Sequence, residues 1–245
     1  MLLALDTSTA WASVAIFDGR EVLAEQTWHA QRRHADELFP TIERLLTATR
    51  VPLSGVDRVA VATGPGSFTG LRVAIAAAQG IARGAGAALV GISTLDVLAY
   101  PHASSKQRTC PILPAGRGNY YAAFYQERNR RWLRRSPFIV ASLPELCRQI
   151  GTHTLFVGEI GEEAEATLRD LLGPKALFAT PASRMRRAGF LAELGWRELE
   201  TRTQEKLAEI EPIYVRQPAI GGSFDQPFAP PPADDVALGL PRRRT

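Results

Sequence analysis

Apolar and polar positions along the first hundred residues follow strand and helix periods in turn. Leu2–Leu5 is a short apolar run that stops at Asp6-Thr7-Ser8-Thr9. Trp11–Phe17 reads as a strand, with Ala12, Val14 and Ile16 on one side and Trp11, Ser13, Ala15 and Phe17 on the other. Asp18-Gly19 predicts a hairpin, because glycine tolerates the positive φ of a tight turn, and Glu21–Trp28 returns as a third strand. Leu38, Ile42, Leu45, Leu46 and Thr49 then fall on one face at helical period. Pro40 is tolerated only near a helix start, so the N-cap is expected at about Asp36, and Val51-Pro52 ends the helix. Asp57–Thr63 is the next strand. It opens into Gly64-Pro65-Gly66-Ser67-Phe68-Thr69-Gly70 and a helix from about Phe68 to Arg83. Strand Ala87–Ile92 and a short helix Thr94–Tyr100 complete a βββαβα order, that of a mixed-sheet α/β lobe.

The second helix has an unusual surface. Leu71, Ala74, Ile75, Ala78 and Ala82 form one apolar face, and Val73, Ala77, Gly80 and Gly84 form a second stripe of small residues. A helix apolar nearly all round must be covered on more than one side. One cover is its own sheet; the other is a further part of this chain or a protein partner.

From Thr109 a weaker version of the same order begins. Strands are expected at Thr109–Leu113, Tyr120–Gln126 and Trp132–Val140, then helix Pro144–Ile150, strand Thr154–Val157 and helix Glu162–Leu172. A closing helix is expected over Ala182–Glu200, followed by the ending Pro212–Arg216. The pattern thus divides the chain into a lobe at 1–105, a second at 106–216 and a tail at 217–245. Six prolines in that tail predict disorder.

Composition narrows the class. The chain has 245 residues, 45% of them hydrophobic, which is enough for packed cores and too apolar for wholesale disorder. No run approaches the roughly 18 apolar residues of a membrane span, and the start meets an acid at once, unlike a secretory leader. Cys110 and Cys147 form no CxxC, as expected of free thiols in the cytoplasm. Charge is uneven: residues 106–148 carry a net +7, densest at Arg128, Arg130, Arg131, Arg134 and Arg135. Such a patch suits phosphate backbones, although its default reading is a solvated hairpin rim.

Candidate chemistry is sparse. Asp6-Thr7-Ser8-Thr9 at a strand end could hold a hydrated Mg²⁺ through the carboxylate and phosphate oxygens through hydroxyls and amides. Four residues alone favour the plainer Asx/ST turn. Gly64-Pro65-Gly66-Ser67 before a helix suits an anion at the helix N-terminus or, equally, a tight turn capped by Ser67, and it lacks the GK[ST] of a P-loop. His29, His34, His102 and His153 include no i, i+4 metal pair. No catalytic constellation emerges.

Taken together, these segments resemble the TsaB (YeaZ) family of bacterial tRNA-modification proteins. The resemblance is carried by Leu3–Gly19, Arg33–Leu46, Val59–Ala82 with its GPGSFTGLR block, Gly91–Ala99 and Glu211–Arg216. It is dense to about residue 100, sparse to 216 and absent in the tail. It implies a two-lobed actin/Hsp70/sugar-kinase-like (ribonuclease H-like) α/β fold, with mixed sheets and flanking helices. It further implies a non-catalytic role in making N6-threonylcarbamoyladenosine at position 37 of ANN-decoding tRNAs.

In that pathway TsaD transfers the threonylcarbamoyl group, TsaB is its partner, and the TsaE ATPase joins the complex. The family pairs its first two helices, here about 36–49 and 68–83, with those of TsaD, or with a second copy when TsaD is missing. The resemblance therefore places Leu38, Ile42, Leu45, Val73, Ala77 and Gly80 at or near that interface. It makes Asp6, Thr7, Ser8, Thr9, Gly64, Gly66 and Ser67 a vestigial phosphate loop. No cofactor is expected on the chain alone, and ATP or ADP contact is expected only within the TsaB–TsaD–TsaE complex. tRNA is reached indirectly or through the basic 106–148 region.

Two departures from catalytic relatives support this. Thr94 and Leu98 stand where TsaD carries a metal-binding HxxxH, and Leu113–Gly118 stands where active members of the wider fold carry an acidic, Gly-rich phosphate turn opening the second lobe; Pro114-Ala115-Gly116 departs also from the Asp-Ala-Arg of many TsaB relatives. The alternatives are an active ATPase or small-molecule kinase of the same superfamily and, with no ligand cluster behind it, a metallopeptidase.

Overall fold

The computed structural model describes residues 1–31, 33–105, 107–128, 131–201, 210–213, 215 and 237–238. In chain order its elements are β1 (Leu2–Asp6), β2 (Trp11–Phe17), β3 (Val22–His29), α1 (His34–Thr49), β4 (Arg58–Ala62), α2 (Phe68–Ala85), β5 (Ala88–Ile92) and α3 (Thr94–Ala99). After α3 come β6 (Arg108–Gly116), β7 (Asn119–Ala122), β8 (Tyr125–Arg128), β9 (Arg131–Arg134), β10 (Ile139–Ser142) and α4 (Leu143–Cys147). The order ends with β11 (Thr154–Gly158), α5 (Glu162–Leu172), β12 (Ala176–Phe178), α6 (Ala188–Thr201) and β13 (Ala237–Leu238). Among the described residues no helix is long and apolar enough to cross a membrane.

The chain forms two compact units, Met1–Val97 with Arg186–Ile213, and Leu98–Met185 with Tyr214–Thr245. This corrects the boundary expected near residue 105 and removes α6 from the second lobe. The reason is steric: a Cβ on Gly195 would stand 2.5 Å from that of Ala60 on β4, so α6 lies directly on the first sheet.

That sheet has the order β3-β2-β1-β4-β5, with β2 and β3 antiparallel to their neighbours and β1, β4 and β5 parallel. Every residue of β1 is buried, as a central strand covered on both faces requires. Leu3, Leu5, Val14, Ile16, Val59 and Val61 pack with Leu38, Ile42, Leu45, Leu71, Ala74 and Ala78 of α1 and α2. Helix α1 begins at His34, with Arg33 at its N-cap, rather than at Asp36. Asp36 instead stands in the first turn, where a carboxylate meets the positive end of the helix dipole, and Pro40 lies one turn further in.

The second unit repeats the topology. β6 is flanked by antiparallel β7 and parallel β11, with β12 parallel beyond β11. The two long strands expected at 120–126 and 132–140 are each broken in two. β7 and β8 stay in one register on β6, Ile112 opposite Ala122 and Thr109 opposite Tyr125, across a break at Ala123-Phe124. Their partners β9 and β10 are separated by an irregular segment containing Pro137, whose missing N–H cannot continue a ladder. Ser136 Oγ accepts the freed Phe124 N–H at 2.9 Å.

Further corrections are local. Pro114–Gly116 belongs to strand β6 rather than to a loop, and the turn is confined to Arg117-Gly118. Helix α4 stops at Cys147, and α6 starts at Ala188, because Ser183 and Arg184 N–H groups bond back to Thr180 in a turn. The short strand β12 has no counterpart in the sequence pattern. Most of the tail expected to be disordered lies outside the described residues, but Ala237-Leu238 pairs with β9. Cys110 and Cys147 are both buried and free, and burial pushes both thiols up.

The close seat of α6 gives a test. Gly195→Ala is expected to lower stability by roughly 1–3 kcal/mol through overpacking against Ala60, measured by urea denaturation.

Candidate functional site

The sequence nominates two places, the loop after β1 and the outer face of α1 and α2. In the loop, Asp6, Thr7 and Ser8 are 0% exposed and Thr9 is 9% exposed. Asp6 Oδ1 accepts the Ser8 N–H at 2.8 Å, the Asx turn read from sequence. Its other oxygen accepts Arg186 Nε at 2.5 Å, and Arg186, just before α6, is 4% exposed. Arg186 Nη2 also donates to Thr9 Oγ1 and to the Trp11 carbonyl, each at 3.0 Å. The cation facing Asp6 is thus supplied by the chain itself.

Gly66 and Ser67 meet the same loop, whereas the Gly64 carbonyl accepts the Thr94 N–H and its Cβ position faces Leu71 and the Ile213 carbonyl. Ser67 N–H donates to the Ser8 carbonyl at 2.6 Å, and Ser67 Oγ caps α2 by accepting the Gly70 N–H at 3.3 Å. A Cβ at Gly66 would lie 2.2 Å from the Ser8 carbonyl oxygen, and one at Gly70 2.0 Å from that of Thr7. Thr7 Oγ1 donates to the Gly70 carbonyl at 2.6 Å, and Thr94 Oγ1 to Ser8 Oγ at 3.0 Å. Hydroxyls and amides that would face a phosphate are bonded to each other. These residues do not fit a hydrated Mg²⁺ with nucleotide: Asp6 is held by a guanidinium, and the glycines bring backbone onto backbone.

His34, at the start of α1, is buried beside this cluster. Burial lowers its pKa from the ordinary value, nearby Asp6 and Glu37 pull it back up, and Arg186 adds to the fall. Thr94 and Leu98, aligned with the expected metal ligands, are buried side chains of α3. Among the described residues no group of three or more His, Cys, Asp or Glu could hold a metal.

The helix face is different in character. Leu38, Ile42 and Leu45 are 0%, 3% and 8% exposed, so the periodicity that nominates them marks the core-facing side of α1. Ala77 is also in the core cluster, Val73 packs half-buried at its edge, and Gly80 is exposed with nothing near its Cβ position. The surface itself is made by residues between these. Phe39 and Leu53 are 55% and 48% exposed, and with Leu46, Val51 and Ile81 they line a groove of about 750 Å³. A second hollow shares Phe39, Leu53 and Ile81 and continues along Ala76, Gly80 and Gly84 of α2. The small-residue stripe therefore forms the floor of an apolar channel between exposed aromatic and aliphatic walls.

Known proteins resemble this chain in sequence and fold. A family model described as "TsaD: tRNA N6-adenosine threonylcarbamoyltransferase" matches residues 21–134, beginning after the Asp6 loop. The tRNA threonylcarbamoyladenosine biosynthesis protein TsaB of Escherichia coli (strain K12) is 31% identical over 182 residues, covering 69% of this chain and 78% of that protein. The chain belongs to the TsaB family. The Bacillus subtilis (strain 168) protein of the same description is 27% identical over 197 residues, 79% of this chain and 86% of its own. Among solved structures, YeaZ from Pseudomonas aeruginosa superposes with a TM-score of 0.69 at 26% identity, covering 87% of this chain and 98% of that one. The fold is accordingly the actin-like class, and the chain has a place in tRNA threonylcarbamoyladenosine biosynthesis.

Arg186 is the site residue that sequence reasoning missed. Replacing it with Ala leaves a buried carboxylate without its cation, which costs about 3–5 kcal/mol. Arg186→Met with Asp6→Leu is expected to recover most of that loss. Urea melts of the two variants check both outcomes.

Proposed function

We propose that this TsaB-family chain is a non-catalytic partner of TsaD, organising the transferase that forms N6-threonylcarbamoyladenosine at position 37 of ANN-decoding tRNAs. The observation that carries the reading is the exposed apolar channel on α1 and α2. A monomer that leaves Phe39 and Leu53 half in water beside a floor of alanine and glycine has a surface suited to a close-packed helix pair. The equivalent helices of TsaD are the expected occupant, and a second copy of this chain takes their place when TsaD is missing.

The closed loop supports the same division of labour. An ATPase or small-molecule kinase needs Asp6 free to hold a cation, and Arg186 occupies it. In this reading the chain alone takes no cofactor, ATP or ADP contact arises only in the ternary complex with TsaE, and tRNA comes to the complex through TsaD or the basic 106–148 region.

Chromatography with light scattering tests this directly: the chain mixed with TsaD of the same organism is expected to elute as a 1:1 complex. Gly80→Trp should abolish that complex while leaving the monomer's melting curve unchanged, because the Gly80 Cβ position is open. Leu38→Ala should instead lower stability by about 2–5 kcal/mol, because Leu38 is core. A Gly80→Trp chain that still binds TsaD would contradict the assignment of the surface.

A further inference from the structure

The β8–β9 hairpin concentrates positive charge in a way that opposes its own stability. Arg128 and Arg131 are directly opposite across the ladder and both are exposed. Like charges in that position repel, with Cβ atoms about 5 Å apart. Among the described residues, no carboxylate within 4.0 Å pairs with either guanidinium. The neighbouring Arg134 is otherwise engaged, buried with its guanidinium 4.1 Å over the Phe138 ring. The strand itself is well anchored: Trp132 is fully buried and stacks on Tyr125, 6.4 Å between ring centroids. The hairpin thus places two exposed, like-charged residues at one register position beside a buried aromatic anchor.

β13 continues this sheet beyond β9, antiparallel to it, with Ala237 opposite Leu133 and Leu238 opposite Trp132.

We infer that this end of the second unit is a contact surface for the phosphate backbone of RNA. The inference rests on the proposed place of the chain at a tRNA-modifying complex, and it assigns the tRNA contact to this chain as well as to its partner. Guanidinium forks match phosphate oxygens bidentately, and a phosphate between Arg128 and Arg131 would convert their repulsion into shared attraction. The contact would be sequence-independent.

The test uses the full chain and an unmodified tRNA transcript with an ANN anticodon, titrated by fluorescence anisotropy at several salt concentrations. Arg128→Gln with Arg131→Gln is expected to weaken binding on the order of tenfold and to lower the salt slope by about two, one for each phosphate that is no longer neutralised. A control with the same charge change outside the basic region, Arg20→Gln with Lys175→Gln, should alter affinity less than twofold. The hairpin variant should melt no lower than the parent, since it removes a repulsion, and should still elute with TsaD. Unchanged affinity and salt slope in the hairpin variant would overturn the inference. Failure of the parent chain to bind tRNA while it still binds TsaD would overturn it and leave the partner reading standing. Equal competition by polyglutamate would overturn it in favour of an acidic protein surface.

Discussion

Asp6 ends a strand in which every side chain is buried, and its own carboxylate is 0% exposed. A charge in that position requires a cation and further hydrogen bonds, or the strand end does not stay folded. Arg186 supplies both. One of its nitrogens meets the carboxylate, and another binds Thr9 and the Trp11 carbonyl, so a single guanidinium ties β1, the loop after it and the start of β2 together. Because Arg186 lies two residues before α6, the same contact anchors the chain where that helix begins to cover the first sheet. Glycines at 66 and 70 then allow the start of α2 to close on the loop from the other side. The organisation of the first unit follows from satisfying this one carboxylate.

That arrangement also separates structure from chemistry in this fold class. An acidic residue after the first strand suits a cation-bridged phosphate, but here the charge it offers is answered internally. Elsewhere the described residues expose the apolar α1–α2 channel and, on the β8–β9 hairpin, Arg128 and Arg131. The two units nevertheless share one topology, β1 and β6 each flanked by an antiparallel and a parallel neighbour. The duplication is therefore topological, with different work left to each half.

Much of this is legible from residue order. The first-unit strands and α2 follow from apolar runs and the Gly-rich block, because those signals are local. The limits of sequence reading are equally physical. Helical period identifies Leu38, Ile42 and Leu45 as a face but cannot say whether sheet or partner covers it; the exposed Phe39 between them is off the stripe and carries no signal. The break at Ala123-Phe124 and the irregular segment at 135–138 are set by pairing between strands, so a window along one strand misses them. Arg186 could have been suspected, since a buried Asp6 demands a cation and Arg184, Arg186 and Arg187 precede the last helix. Choosing among three arginines some 180 residues away needs the fold.

Arg186 closes the loop after β1, and the proposed partner role has the isolated chain take no nucleotide. Isothermal titration of the isolated chain with MgATP tests it most directly. No saturable heat is expected up to millimolar ligand, for the parent chain and for Asp6→Asn alike. Stoichiometric binding by the parent chain, lost in Asp6→Asn, would contradict it.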